Sequence, residues 1–478
     1  MGFEPGGAPR GREFFQSEVW KEKRVKPARP ELGTWREPAR DLRIYKRTDV
    51  LVIGGGPAGT AAAVAAARSG AEVTLLERYN HLGGLSTGGL VAWIDRMTDW
   101  DGNTVIAGIA RDLLERLPKD AVAGPRAALW GSRDPAEVAQ WAIRSAAFHG
   151  VVTHSPTIDP EWLKWESMRI LAEHKVHLML HSWAAAPIVN GANLEGVVFE
   201  SKEGRQAIFA KCVVDCTGDG DLYAFAGHPY ESNIVETDIN HSMNVSWTFG
   251  GVDMLKWLAF RVTPAFNDFM ARGRAAVTLF EKPFVSWRDD VALFMGPRKS
   301  GVSCLDVEDL TYVEYESRRL MVAHLAFYRA HAPGFEQAFL MLSAPQMGAR
   351  HSRRLASIAR VTREQWDTGL VHADEIGVSP SPSQKFPSIS IPYGALVPQR
   401  LDGILAAGRH IGCDPNSHSF LREIPQCWVT GQAAGTAAAL AANQGIAPRA
   451  VDAGELQQAL LRQGVHLRPG AQAARAAA

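Results

Sequence analysis

The chain has 478 residues, 46% of them apolar and 21% charged, with 51 Lys+Arg set against 51 Asp+Glu. That length and composition specify a globular protein of two or three domains with ample core, and the balanced charge supplies no field to steer it to nucleic acid or an anionic membrane. Five scattered cysteines without a C-x-x-C pair, no apolar run of the roughly 18 residues that span a bilayer, and an N-terminus without a signal-peptide core set the remaining expectations: reduced thiols, no metal, no membrane span, a cytoplasmic protein.

Residues 1–47 are rich in Pro, Arg and Glu with little periodicity, and read as an extended N-terminal arm or a disordered one. Residues 48–77 form a strand, a turn, a helix and a second strand, and helices are expected over 104–117, 134–148 and 159–176, the last after an Asp-Pro start. Strand-like runs follow at 176–180, 194–200 and 207–216, then a strand within 241–253 and long helices at 309–331 and 345–361. A further buried strand is expected at 401–408, and an Ala-rich helix at 426–443. No internal repeat is present, and the only biased tract is the Ala-rich end at 470–478.

The chemistry starts at "VLVIGGGPAGTAAAVAAARSG" (50–70), where an apolar strand runs into glycines and the glycines into a helix. The first amides of a helix lack intrahelical partners and stand at the positive end of its dipole, so this turn is an anion site. In the dinucleotide fingerprint Gly54 permits the turn, Gly56 lets backbone approach a pyrophosphate, and Gly59 lets the helix pack on the strand. Pro57 and Ala58 open the helix. Glu77 ends the next strand 18 residues after Gly59 and is placed to accept from a ribose hydroxyl. An ordinary glycine turn in a βαβ unit is the competing reading. Behind Glu77, "ERYNHLGGLSTGG" (77–89) carries four more glycines, which suits a chain crossing the middle of a long cofactor. "VVDCTGDGD" (213–221) is a second strand ending in a glycine loop, and 404–442 is a strand, a glycine, a polar loop and a small-residue helix.

These motifs resemble those of the FAD-dependent oxidoreductases of the glutathione-reductase/succinate-dehydrogenase superfamily. The matching segments are Leu82–Leu90, Asp159–Lys164, Thr217–Asp221, Gly348–Arg354 and Ala407–Ala439, in order along the chain. The resemblance implies an α/β fold: a Rossmann-like FAD-binding domain of the GR2 type with an inserted α+β substrate or cap domain. The expected boundaries are 48–235 plus 385–445 for the FAD domain, 236–384 for the cap and 446–478 for a C-terminal tail. It implies FAD, held non-covalently because no His follows Gly83-Gly84 within "LSTGG" and His81 precedes them. It places Gly54, Gly56, Gly59, Glu77 and Arg78 at the ADP half, and Gly83, Gly84, Leu85, Ser86, Thr217 and Gly218 along the pyrophosphate and ribityl chain. Gly408, Arg409, Gln426, Gly431 and Gln432 are implied towards the flavin ring, and Asp414 is expected to orient one of the loop histidines or to contact the ribityl chain.

The implied reaction is hydride transfer between a small organic substrate and flavin N5. The candidates for acid, base or anion clamp are His410, His418, Arg422 and an inward-facing Arg353, each weighed against a structural role. Tyr393 is weighed between a phenol near the ring and, given the prolines at both ends of its segment, a constrained strand entering the FAD domain; Trp93, Trp100, Trp247 and Trp287 are weighed between an apolar or aromatic substrate pocket and core packing, the commoner explanation. A second G-x-G-x-x-G is absent, so electrons are expected to pass to oxygen, a quinone or an electron-transfer protein rather than NAD(P)H. A non-redox flavoprotein and a flavin subunit of a larger complex stay open as alternatives, as does a homo-oligomer.

Overall fold

Four apolar runs of the sequence become parallel neighbours in one sheet, and this fixes where their glycine-bearing ends meet. The computed structural model describes residues 19–20, 30–232 and 242–468. The chain divides into two compact units: one of 33–232, 286–288 and 353–478, the other of 1–32, 233–285 and 289–352.

In the first unit the strands are β1 (Ile44–Ile53), β2 (Val73–Leu76), β3 (His177–Met179), β4 (Trp183–Asn190), β5 (Asn193–Ser201), β6 (Gly204–Asp215) and β7 (Ile404–Ala406), ordered β3-β2-β1-β6-β5-β4 with β7 also on β6. Strands β3, β2, β1, β6 and β7 run parallel, while β4, β5 and the start of β6 form an antiparallel meander. β6 is long enough to serve both. Residues 204–209 pair with β5, and residues 213–215 pair with β7. The central parallel segments, Val50–Ile53, Val73–Leu76, Cys212–Asp215 and Ile404–Ala406, are buried on both faces, as their largely apolar runs require, while the edge strand β3 is half-buried.

Helix α1 (Pro57–Arg68) follows β1, α2 (Pro160–Glu173) precedes β3, and α3 (Pro415–Leu421) and α4 (Ile424–Gln444) follow β7. α4 is buried along nearly its whole length, which accounts for a sequence rich in Ala, Gly and Thr with no polar face. It lies directly on α1. A Cβ on Gly431 would stand 2.1 Å from the Ala58 carbonyl oxygen, and one on Gly435 2.0 Å from that of Ala62. The same four-residue step on both helices makes them run in the same direction. α4 begins seven residues before Gly431 whereas α1 begins one before Ala58. At 1.5 Å per residue α4 therefore starts about 9 Å ahead of α1.

The second unit is an α+β assembly. Its strand Trp247–Gly250 lies between Val291–Phe294 and Phe339–Ser343, and a helix spans Val307–His331. The core of this unit is aromatic, with Trp247, Trp257, Phe269, Phe294, Tyr328 and Phe335 all buried, so Trp247 is a packing residue.

Most expected elements are present, and two segments differ. The helix expected at 345–361 is absent. Gly348–Ala349 and Arg354–Leu355 are short strands instead. The Arg and Ala spacing imitates a helix, but extended backbone lets the adjacent Arg353 and Arg354 reach separate acids, Asp221 and Glu231, both at 2.9 Å. The segment read as a C-terminal tail carries helix α5 (Ala453–Arg462), and Gln463 just after it bonds to Ser69 at 3.0 Å. In the N-terminal arm, Val19–Trp20 pairs with Arg298–Lys299 and residues 30–43 are mostly exposed without regular structure. The rest of the arm and the Ala-rich end lie outside the described residues.

Replacing either helix-contact glycine by alanine tests the α1–α4 contact by its sign. Helix propensity alone would make the change stabilising by about 1 kcal/mol. The contact with backbone predicts that Gly431→Ala and Gly435→Ala each destabilise by ~1–3 kcal/mol in urea unfolding.

Candidate functional site

Strand register brings the motifs together. Leu76 stands beside Ile53, Ile53 beside Asp215, and Asp215 beside Ala406. The chain leaving these four ends carries Glu77, Gly54, Thr217 and Gly408 in that order across the sheet, at the carboxyl edge where open α/β sheets bind ligands.

The three fingerprint glycines have different reasons to be small. Gly54 has φ +99°, and a Cβ there would lie 2.4 Å from the Cys216 carbonyl oxygen. A Cβ on Gly59 would overlap the Gly54 oxygen at 1.7 Å. Both are demanded by the fold. Gly56 is not. Its φ of −67° and ψ of −172° suit any residue, and the nearest atom to its Cβ would be Gly84 Cα at 3.9 Å. It is the N-cap of α1, where no side chain caps the helix and no acid stands in the first turn. This cradle, closed to side chains by the sequence and not by the protein's own packing, fits the pyrophosphate of FAD.

The second glycine run crosses the first. Gly83 N donates to the Gly55 carbonyl at 2.8 Å, and a Cβ on Gly84 would meet Gly56 Cα at 2.8 Å. Ser86 Oγ donates to the Gly83 carbonyl, closing the turn around Leu85. Glu77 is buried. Its carboxylate accepts from Gly55 N at 2.6 Å and Tyr79 N at 2.8 Å, so it fixes the turn besides facing this edge of the sheet. Arg78 is exposed and stacks on Tyr79 and Trp183. His81 is buried, with Nδ1 2.8 Å from Asn80 Oδ1.

The loop Thr217–Asp221 is built by its own acids. Asp215 accepts from Thr217 N, Thr217 Oγ1 and Leu222 N. Two arginines then hold the loop from outside. Arg409 pairs with Asp219 at 2.5 Å and lies against Gly218, while Arg353 donates to the Asp219 carbonyl and to Asp221, each at 2.9 Å. Arg353 does face inward, as a clamp on protein. Burial, with the Asp219 and Asp215 charges, lifts the Asp221 carboxyl to about 6 despite the Arg353 bond.

The remaining candidates divide. His410 is fully buried, 3.7 Å from Asp215, and burial lowers its pKa. His418 Nε2 lies 3.0 Å from the Arg409 carbonyl oxygen. Asp414 caps α3 through Ser417 N and accepts from Arg363 N. Gln432 accepts from Ile109 N at 2.9 Å and donates towards Gln463, so its amide is committed to packing. Gly431 is the α1 contact. Gly408 N donates to Thr430 Oγ1. Tyr393 donates to the Pro448 carbonyl, away from these loops. The buried thiols Cys212, Cys413 and Cys427 are all pushed up to about 12 by burial, which makes them inert.

At the start of α4 the structure adds residues that no motif marked. Gln426 donates to Ser379 Oγ at 2.9 Å. Two residues on, Ser381 is held by Arg96 and Trp100: Arg96 donates to its carbonyl at 2.8 Å and Trp100 to its hydroxyl at 3.1 Å. The Arg96 guanidinium stacks 4.0 Å above the Trp100 ring. Arg422 pairs with Glu423, and both act on the charge of Asp95. Burial raises the Asp95 carboxyl above its usual range; Glu423 adds to the rise, and Arg96 and Arg422 oppose it. In the sequence "WIDRMTDW" (93–100) this set is an Asp-Arg pair between tryptophans, with no spacing that points to α4. Among the described residues no helix is long and apolar enough to cross a membrane, and no group of three or more His, Cys, Asp or Glu could hold a metal.

The family described as FAD dependent oxidoreductase matches residues 49–460. Among solved structures, the chain is similar to a geranylgeranyl bacteriochlorophyll reductase-like protein from Thermoplasma acidophilum at 13% identity, covering 87% of this chain and 83% of that one with a TM-score of 0.42. It is also similar to p-nitrophenol 4-monooxygenase from Pseudomonas putida (12% identity, 90% and 92% covered, TM-score 0.42). A flavoprotein/dehydrogenase from Cytophaga hutchinsonii matches at 14% identity, with 84% and 79% covered and a TM-score of 0.39.

The Asp221 environment has a pH signature. Between its ordinary value of 3.8 and about 6 the unfolded chain releases a proton that the folded loop keeps, so the contribution of Asp221 to stability falls as pH rises through that window. The difference in urea midpoint, wild type minus Asp221→Asn, is expected to decline across the window and to be level above it. A difference independent of pH would contradict the assignment.

Proposed function

The chain belongs to the FAD-dependent oxidoreductase family and its cofactor is FAD; from that premise we propose that it moves a hydride between a small organic substrate and flavin N5, with FAD held non-covalently. The observation that carries this reading is Gly56, the one fingerprint glycine whose smallness the protein's own packing does not require. A bound FAD supplies two-electron chemistry at N5, and the work of the chain is to bind and orient it.

The residue assignments follow from the order of the strand ends. The amides at the start of α1 hold the pyrophosphate, with the Gly83-Gly84 backbone laid across it. Glu77 receives a ribose hydroxyl on the β2 side. The Thr217-Gly218 loop, stiffened by Arg353 and Arg409, borders the ribityl chain. The start of α4, about 9 Å ahead of that of α1, receives the ring. Of the four catalytic candidates only Arg422 stands at that end. Arg353 acts by holding the Thr217–Asp221 loop, which supports the ribityl track instead of touching substrate, and His410 lies buried beside the end of β6.

The aromatic α+β unit is the proposed substrate domain, in line with its stretches 233–285 and 289–352 falling in sequence between 33–232 and 353–478 of the other unit. The sequence carries one dinucleotide fingerprint, which favours oxygen, a quinone or an electron-transfer protein as the redox partner over NAD(P)H.

Purified full-length protein is expected to carry one flavin per chain, released by acid or heat without a covalent remnant. Anaerobic addition of a metabolite panel is expected to bleach the flavin bands with one compound class, and the chosen acceptor to restore them. A flavin that stays oxidised with every candidate, while the protein still converts one of them, would replace hydride transfer by a non-redox role.

A further inference from the structure

Three buried side-chain atoms around the start of α4 have no hydrogen-bond partner among the described residues: Arg96 Nη1, Arg422 Nε and Gln426 Oε1. Two are donors and one is an acceptor. The orientation of the Gln426 amide follows from its neighbour. Ser379 Oγ donates to the Pro380 carbonyl at 3.2 Å and so accepts from Gln426 Nε2, which leaves the amide oxygen as the unmatched atom. Gln426 and Arg96 are 2% and 9% exposed, so bulk solvent does not reach them. A buried donor or acceptor left unmade costs about 1–3 kcal/mol, and three in one place call for a ligand.

The kind of ligand follows from charge. Asp95 and Glu423 balance Arg96 and Arg422, so the cluster carries no surplus that would select an anion. What it lacks is hydrogen bonding, from two donors and one acceptor. The neutral group with the complementary set is an imide, in which two carbonyl oxygens flank one N–H. Arg96 and Gln426 hang from Ser381 and Ser379, two residues apart on one segment, so both are anchored within the width of a single ring system.

We propose that Arg96, Gln426 and Arg422 bind the imide edge of the flavin pyrimidine ring, with Arg96 and Arg422 donating to its carbonyl oxygens and Gln426 accepting its N–H. This rests on the cofactor reading above and adds to it the residues that set the ring's orientation and its electron affinity. A guanidinium beside the pyrimidine carbonyls favours the electron-rich reduced ring, so Arg96 raises the reduction potential.

The test compares FAD with ADP on full-length apoprotein, because ADP has no imide. Arg96→Gln and Gln426→Leu are each expected to weaken FAD binding by about tenfold or more, the effect of one lost hydrogen bond to a charged or buried partner, with ADP affinity unchanged. In the reconstituted proteins Arg96→Gln is expected to lower the flavin potential, by about 30 mV for a tenfold shift in the two-electron equilibrium, and Arg96→Lys to keep most of it. Gln426→Leu alters no charge and remains the readout should Arg96→Gln fail to fold, which loss of ADP binding would reveal. Wild-type protein that binds ADP but no FAD would overturn the cofactor reading and this inference with it. Tight FAD uptake, with affinity and potential the same in wild type and both variants, would overturn this inference alone.

Discussion

Two helices that touch through their backbones set the geometry of this protein. Gly431 and Gly435 of α4 lie on Ala58 and Ala62 of α1 with no room for one further methyl group. Close packing of this kind tolerates neither voids nor insertions, so the pair behaves as one rigid body. Because the helices run parallel and are offset, their positive ends form a step. One end lies at the glycine turn, the other about 9 Å ahead of it. A diphosphate and an aromatic ring joined by a short chain match such a step.

The sheet then delivers the remaining parts. The ends of four of its five parallel strands stand in register, so turns from residues 54, 77, 217 and 408 converge whatever their distance along the chain. Rigidity comes from charges used inside the protein. Glu77 holds the first turn by two amides, and Asp219 and Asp221 bind two arginines to the loop between β6 and the next helix. Acids in a pyrophosphate neighbourhood would repel the ligand if left bare. Paired with Arg409 and Arg353, these acids instead stiffen the loop backbone.

The legible part of this architecture is the local part. A strand, a glycine turn and a helix announce themselves within 30 residues because the positive φ of Gly54 and the contact of Gly59 with Gly54 are local. α4 was visible because an all-small helix has only one place to go, the interior. The segment around Arg353 has an Arg and Ala spacing that suits a helix, while the partners that decide its extended backbone, Asp221 and Glu231, are more than a hundred residues away. Gln432 looked like a ring contact by its place in a motif, yet its amide serves Ile109, over three hundred residues earlier. Arg96 was invisible for the converse reason. Nothing adjacent to it marks it, and only the fold brings it to Ser381 and the start of α4. Chemistry carried by backbone was thus readable from spacing, whereas chemistry carried by side chains across the sheet was not.

The central claim is that Gly56 is small for a ligand and not for the fold, and Gly56→Ser addresses it most directly. Serine is a strong N-cap residue, the backbone angles at 56 suit it, and the nearest atom to its Cβ lies at 3.9 Å. Thermal unfolding of the apoprotein should therefore be unchanged or slightly raised, while its affinity for FAD falls by more than about tenfold, 1.4 kcal/mol. A serine variant that takes up FAD as tightly as the wild type would contradict the account at its foundation.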